Sequence, residues 1–134
     1  MATEQLQVHK GDKRQVQAAL RAFFALSEKW GLTREQGITL LGSPARSTYH
    51  NWKKINVTSL NHDTLERISY LLGIHKALGI IFSRNPESVF SWIHKRNNHP
   101  FFAGQSALDK MLSGNLSDLF LVRGFLDSQR GGWS

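Results

Sequence analysis

Between residues 46 and 54 the chain places Arg46, Ser47, His50, Asn51, Lys53 and Lys54 within nine positions. These side chains share a capacity for hydrogen bonding to polar edges and to anions. An arginine guanidinium can pair with two acceptors of guanine, and an asparagine carboxamide with one acceptor and one donor of adenine. Arg46, Ser47, His50 and Asn51 are therefore candidates for reading base edges. Lys53 and Lys54, with Gln36 upstream, are candidates for phosphate contacts, which add affinity without sequence information. Tyr49 and Trp52 stand three apart in the same run and fall on the opposite helical face, where Leu40 and Leu41 can cover them.

Other chemistry finds little support in the residues. The histidines stand at 9, 50, 62, 75, 94 and 99, and none shows the i, i+4 pairing with a neighbouring Glu that marks a zinc protease. His94 and His99 flank a loop and have no evident third ligand, so the histidines read as surface side chains. There is no phosphate-cradling glycine loop and no nucleophile elbow. Carboxylates are scattered, with no acid/base pair. Cysteine is absent, which excludes disulfide scaffolds, thiolate metal sites and cysteine nucleophiles. The expectation is a protein that is not an enzyme, with no metal and no cofactor.

Charge points the same way. The net charge is +7 over 134 residues. Residues 1–60 hold nine Lys and Arg against four Asp and Glu, and residues 61–134 hold eight against six. The positive field sits in the half that carries Arg46 to Lys54, as a polyanion partner requires. The chain contains no run near the roughly 18 apolar residues of a membrane span. Its beginning, MATEQLQVHKGDKRQ, lacks the apolar centre of a signal peptide, so a cytoplasmic location and no membrane contact are expected.

The elements that must position these residues are helices. Residues 1–12 show no periodicity and read as a loose arm. From Lys13, Val16, Leu20, Phe23, Phe24 and Trp30 recur at three- and four-residue steps until Gly31 stops the run. Thr33 with Gln36 forms a capping box for a second helix that Gly42 ends. Ser43 and Pro44 predict the cap and first position of a third helix reaching about Ile55. Asn61 or Asp63 caps a fourth, interrupted at Gly73, with Ile74–Phe82 continuing beyond it. Asn85-Pro86-Glu87 opens a further helix, Arg96–Gln105 reads as a structured loop, Ser106 caps a short helix, and a last helix covers roughly 116–129. The fold class is all-α. Two short helices joined by a tight glycine turn describe a helix-turn-helix, whose second helix enters the major groove.

The last helix carries Leu119-Phe120-Leu121-Val122, four consecutive apolar residues that cannot all face one core. Such a helix is buried on several sides or meets a partner, by self-association, by binding another protein or by packing on residues 61–82. At the chain end, Gly131 and Gly132 let the backbone thread a narrow space, and Trp133 is a strong anchor residue type.

The N-terminal half resembles the Xre-type helix-turn-helix of bacterial antitoxins. Residues 85–134 resemble the toxin-binding domain of the Xre/MbcA/ParS antitoxin group, on Asn85-Pro86-Glu87, Trp92-Ile93, the run Pro100–Leu112 and the Arg130-Gly-Gly-Trp133 end. The sequence departs from that pattern at Gln105, where a second glycine is usual, and at Ala107, where proline is usual. The resemblance begins after the arm at 1–12 and implies an Xre-like DNA-binding domain at 13–83 and a toxin-binding domain at 84–134. It further implies a type II antitoxin that forms a homodimer, represses its own operon, and covers the active site of a partner toxin, often an NAD-consuming RES-domain protein. Phe101, Phe102, Gly104, Arg130, Gly131, Gly132 and Trp133 are the residues it implicates in toxin contact. The rival expectation is a free-standing DNA-binding regulator whose C-terminal half only dimerises.

Overall fold

The structure, a computed structural model, describes residues 13–131. Seven helices follow one another among them: α1 Lys13–Lys29, α2 Arg34–Leu40, α3 Arg46–Lys53, α4 His62–Ile81, α5 Pro86–His94, α6 Ala107–Met111 and α7 Leu116–Gly131. Among the described residues there is no strand, only an isolated antiparallel bridge between Arg96 and Ser106. The all-α expectation holds, with a helix-turn-helix bundle followed by further helices. The expected arm at 1–12 lies outside the described residues.

Helix α1 buries Val16, Leu20, Phe23 and Leu26, a stripe at four- and three-residue steps. Gly31 stops it at φ 65°, so that the Leu32 N–H reaches Ser27 O at 3.0 Å and its own N–H reaches Glu28 O at 3.1 Å. Thr33 and Gln36 then form the expected capping box: the Gln36 N–H donates to Thr33 Oγ1 at 3.1 Å, and the Thr33 N–H to Gln36 Oε1 at 2.9 Å.

The turn between α2 and α3 differs from the sequence expectation. Ser43 does not cap α3. It adopts φ 61°, and its N–H closes the end of α2 by donating to Ile38 O at 2.9 Å. Ala45 is the residue before α3, and it makes no side-chain cap bond. Closing α2 consumes both Gly42 and Ser43, so α3 starts at Arg46, later than Pro44 would place it. The helix also stops early, because Ile55 takes φ 57°. That conformation is costly for a β-branched residue, and the half-buried Ile55 side chain offsets it by packing on the core.

Helix α4 runs unbroken through Gly73, contrary to the expected interruption. A Cβ there would stand 2.6 Å from Arg123 Cζ, the far end of a flexible side chain of α7. Leu71, Ile74 and Leu78 of α4 are buried in one cluster that extends from Val16 of α1 to Leu126 of α7. Arg67 of α4 is only 8% exposed. Its Nε bonds Asp63 Oδ2 at 2.8 Å, and its Nη1 lies 3.5 Å from Leu40 O. A buried cation at the C-terminal end of α2 complements the helix dipole and ties the turn to α4.

Asn85 caps α5 through Oδ1, which accepts from the N–H groups of Glu87 and Ser88 at 3.0 and 3.2 Å, with Pro86 in the first turn. The loop after α5 is pinned by the Asn97 N–H to Gln105 O at 3.0 Å and the Gly104 N–H to Asn97 O at 3.1 Å. Ala103 and Gly104 carry its positive φ values, 52° and 85°. Gln105 is not among the positive-φ residues, so a second glycine is not required there. Ser106 caps α6, where Ala107 occupies the first helical position and proline would also fit.

Candidate nucleic-acid interface

Helix α3 presents two chemically distinct faces. Tyr49 is buried and Trp52 half-buried, whereas Arg46, Ser47, His50, Asn51, Lys53 and Lys54 are all exposed. The inner face is locked by rings: Tyr49 meets Phe24 edge-on at 5.3 Å, and Phe24 meets Phe23 at 5.1 Å. Gly37 of α2 makes this approach possible, since a Cβ there would overlap the Tyr49 hydroxyl. Burial pushes the Tyr49 phenol above its ordinary range, with a hydrogen bond to Ser27 acting the other way. The two helices are thus joined by a buried, uncharged contact that holds the polar face outward.

Gln36 sits at the start of the pair, half-buried, with Oε1 committed to the capping box. Its amide nitrogen keeps the donors that a phosphate contact needs. Beside α3 lies a cleft of about 710 Å³, lined by Arg21 of α1, Arg34 of α2 and Arg46, His50 and Lys53 of α3. Its floor includes Phe24, Leu32 and Ile55. Arg21 and Arg34 were not singled out from the sequence, because their convergence on α3 depends on how α1 and α2 pack.

A second feature was equally illegible. Arg46 Nη2 lies 2.7 Å from Glu35 Oε2, across the turn between α2 and α3, and Arg34 Nη2 lies 3.4 Å from the same oxygen. A backbone hydrogen bond, then the Arg46 guanidinium, then Arg34 hold the exposed Glu35 carboxyl below its usual range.

The residues implicated in partner contact are placed unequally. Phe102 is 0% exposed and anchors its loop, edge-on to Trp92 at 5.7 Å and to Phe125 at 5.1 Å. Phe101 is half-buried and stacks on Phe125 at 5.1 Å with Lys110 Nζ 4.8 Å above its ring. Gly104 is exposed. The structure therefore joins Phe101 and Phe102 to α7 through Phe125. Arg130 stands five residues further, about 7.5 Å along the helix, with Nη1 3.7 Å from Asp127 Oδ1. Arg130 and Gly131 belong to α7, which extends past the expected end at 129. Gly132 and Trp133 lie outside the described residues. The apolar run of α7 splits as its periodicity demands: Leu119 and Val122 are buried, whereas Phe120 and Leu121 are 56% and 44% exposed.

The histidines take varied roles. The Trp30 indole N–H donates to His75 Nδ1 at 3.1 Å, and His94 Nε2 lies 2.6 Å from Trp30 O. His75 is thus half-buried in the packing around Trp30 rather than a freely exposed side chain. Among the described residues no group of three His, Asp or Glu is arranged to hold a metal ion, and no helix is long and apolar enough to cross a membrane.

Residues 12–73 match the family described as the antitoxin Xre-like helix-turn-helix domain, a span that runs from the start of α1 into α4. Over 121 residues the chain is 48% identical to the uncharacterized protein y4oB of Sinorhizobium fredii, covering 90% of this chain and 91% of that protein.

Proposed function

Because the chain belongs to one family with y4oB and carries an antitoxin Xre-like helix-turn-helix domain, we propose that it is the antitoxin of a type II toxin–antitoxin pair. It acts in the cytoplasm and represses its own operon as a homodimer. Two α3 helices, about 34 Å apart, enter successive major grooves of a palindromic operator. Arg46, Ser47, His50 and Asn51 read base edges there, and Gln36, Lys53 and Lys54 hold phosphates. The observation that carries this reading is the outer face of α3, polar throughout and cationic at Arg46, Lys53 and Lys54, set on a helix whose inner face is locked by Tyr49.

The C-terminal region then neutralises an NAD-consuming RES-domain toxin by covering its active site. This half of the proposal is supported by the motifs at 85–134 and by the apolar surface that α7 leaves open at Phe120 and Leu121. Inhibition of this kind is steric and needs no chemistry from the antitoxin. Residues Phe101 and Gly104 offer surface at the loop, Phe102 fixes the loop from within, and Arg130 and Gly131 end α7, with Gly132 and Trp133 following in sequence.

The same Phe120 and Leu121 surface suits a second copy of the chain, which favours the rival reading of a regulator whose C-terminal half only dimerises. Co-expression with the adjacent open reading frame, pull-down and an assay of NAD consumption separates the two. A stable complex with suppressed NAD loss is the expected result. Absence of a complex, or unchecked NAD loss from one, would leave only the DNA-binding regulator.

A further inference from the structure

We infer that Glu35 sets the base selectivity of α3 by holding the Arg46 guanidinium in place across the turn. The inference rests on the DNA-binding reading above and deepens it, since Glu35 acts through Arg46 and is a positioning residue.

The contact is short and joins different elements: Arg46 Nη2 to Glu35 Oε2 is 2.7 Å, between the first residue of α3 and the first turn of α2. The separation of those helices is set beneath it by Tyr49 against Gly37, so the backbones of Glu35 and Arg46 stand at a fixed spacing that lets the two exposed side chains meet. An unrestrained surface arginine loses rotamer freedom when it pairs with a base, and a held fork loses less. The guanidinium keeps further N–H donors after Nη2 is engaged, enough for two-point contact with a base.

The carboxylate also acts by its charge. It lies on the surface that approaches DNA, where an anion repels phosphates. Arg34, 3.4 Å from the same oxygen, offsets that charge in part. Glu35 thereby makes Arg46 a poorer phosphate ligand while keeping it available to a base. A residue with only a structural role would weaken binding to every sequence alike. Glu35 weakens indiscriminate binding and strengthens discrimination.

The test uses the full chain and a duplex selected by it from a random-sequence library, with fluorescence anisotropy as the readout. Single base-pair changes in that duplex locate the position whose discrimination is lost in Arg46→Ala. Glu35→Ala should cut discrimination at that same position about tenfold, while affinity for an unrelated duplex at low salt rises about twofold. In the Arg46→Ala background, Glu35→Ala should cost no further selectivity, which is the signature of action through Arg46. Unchanged selectivity in Glu35→Ala overturns the inference, and so does a loss that adds fully to that of Arg46→Ala. Failure of the unaltered chain to select any duplex would instead remove the DNA-binding reading, and this inference with it.

Discussion

At the scale of single residues, the side chains that matter are those whose partners come from elsewhere in the chain. His75 accepts the Trp30 indole N–H through Nδ1. Burial, and secondarily the charge of Lys29, lowers its pKa from the ordinary value of 6.5. Protonation would set an imidazole N–H against an indole N–H, so the folded state resists the proton. The unfolded chain then binds more protons once the pH falls below about 6.5, and stability is lost progressively as the pH drops further. The contribution is fully present above that value. Melting temperatures taken from pH 7.5 down to 5.5 should fall, and His75→Gln, which keeps an acceptor and removes the titration, should flatten part of that slope. Equal slopes in both proteins would remove His75 from the account.

At the scale of elements, α3 is positioned by a contact between its own Tyr49 ring and Gly37 of α2. Gly37→Ala improves helix propensity, yet its Cβ would overlap the Tyr49 hydroxyl, and the buried ring must shift to make room. The substitution should cost about 1–3 kcal/mol, measured by urea unfolding, and should weaken DNA binding by tilting α3. Gly73 offers the contrast. Its obstacle is the end of the flexible, half-exposed Arg123 side chain. Gly73→Ala should therefore be neutral to mildly stabilising in the same assay, because a propensity gain of about 1 kcal/mol exceeds the few tenths of a kcal/mol that the half-exposed Arg123–Asp127 pair contributes.

At the scale of the whole molecule, α4 is shared. It packs on α1 in front and on α7 behind, and the buried cluster is continuous from Val16 to Leu126. The break at 82–85 is a helix end closed by Ser83 and Arg84, whose N–H groups reach Ile80 O and Gly79 O at 3.3 and 2.6 Å. It divides the chain in sequence without dividing its core. Partner binding and DNA binding nonetheless use separate surfaces in the proposed function. Removal of residues 130–134 should weaken toxin inhibition by at least about tenfold, a typical result of losing an aromatic anchor, and leave DNA affinity unchanged. Inhibition at full strength would show that the blocking surface lies elsewhere on α5–α7.

Much of this architecture was legible in the chain because it is written in local rules. Caps at Thr33, Asn61, Asn85 and Ser106, stops at Gly31 and Gly42, and the inward placement of Tyr49 each depend on residues within one or two helical turns. The cationic outer face of α3 follows from the same 3.6-residue period. What escaped depends on how helices meet. Ser43 read as a cap because serine prefers that role, but the turn needed its N–H to close α2. Gly73 read as a break because glycine is a poor helix former, but the buried residues on both sides of it, Leu71 and Ile74 among them, hold α4 continuous through it. The Glu35–Arg46 pair spans eleven positions, and the cleft with Arg21 spans three helices; neither distance has a sequence signature. Periodicity and capping chemistry specified which helices form and which faces they expose. Only the packed core, through the angle and separation it imposes on those helices, decided which charges stand beside the outer face of α3.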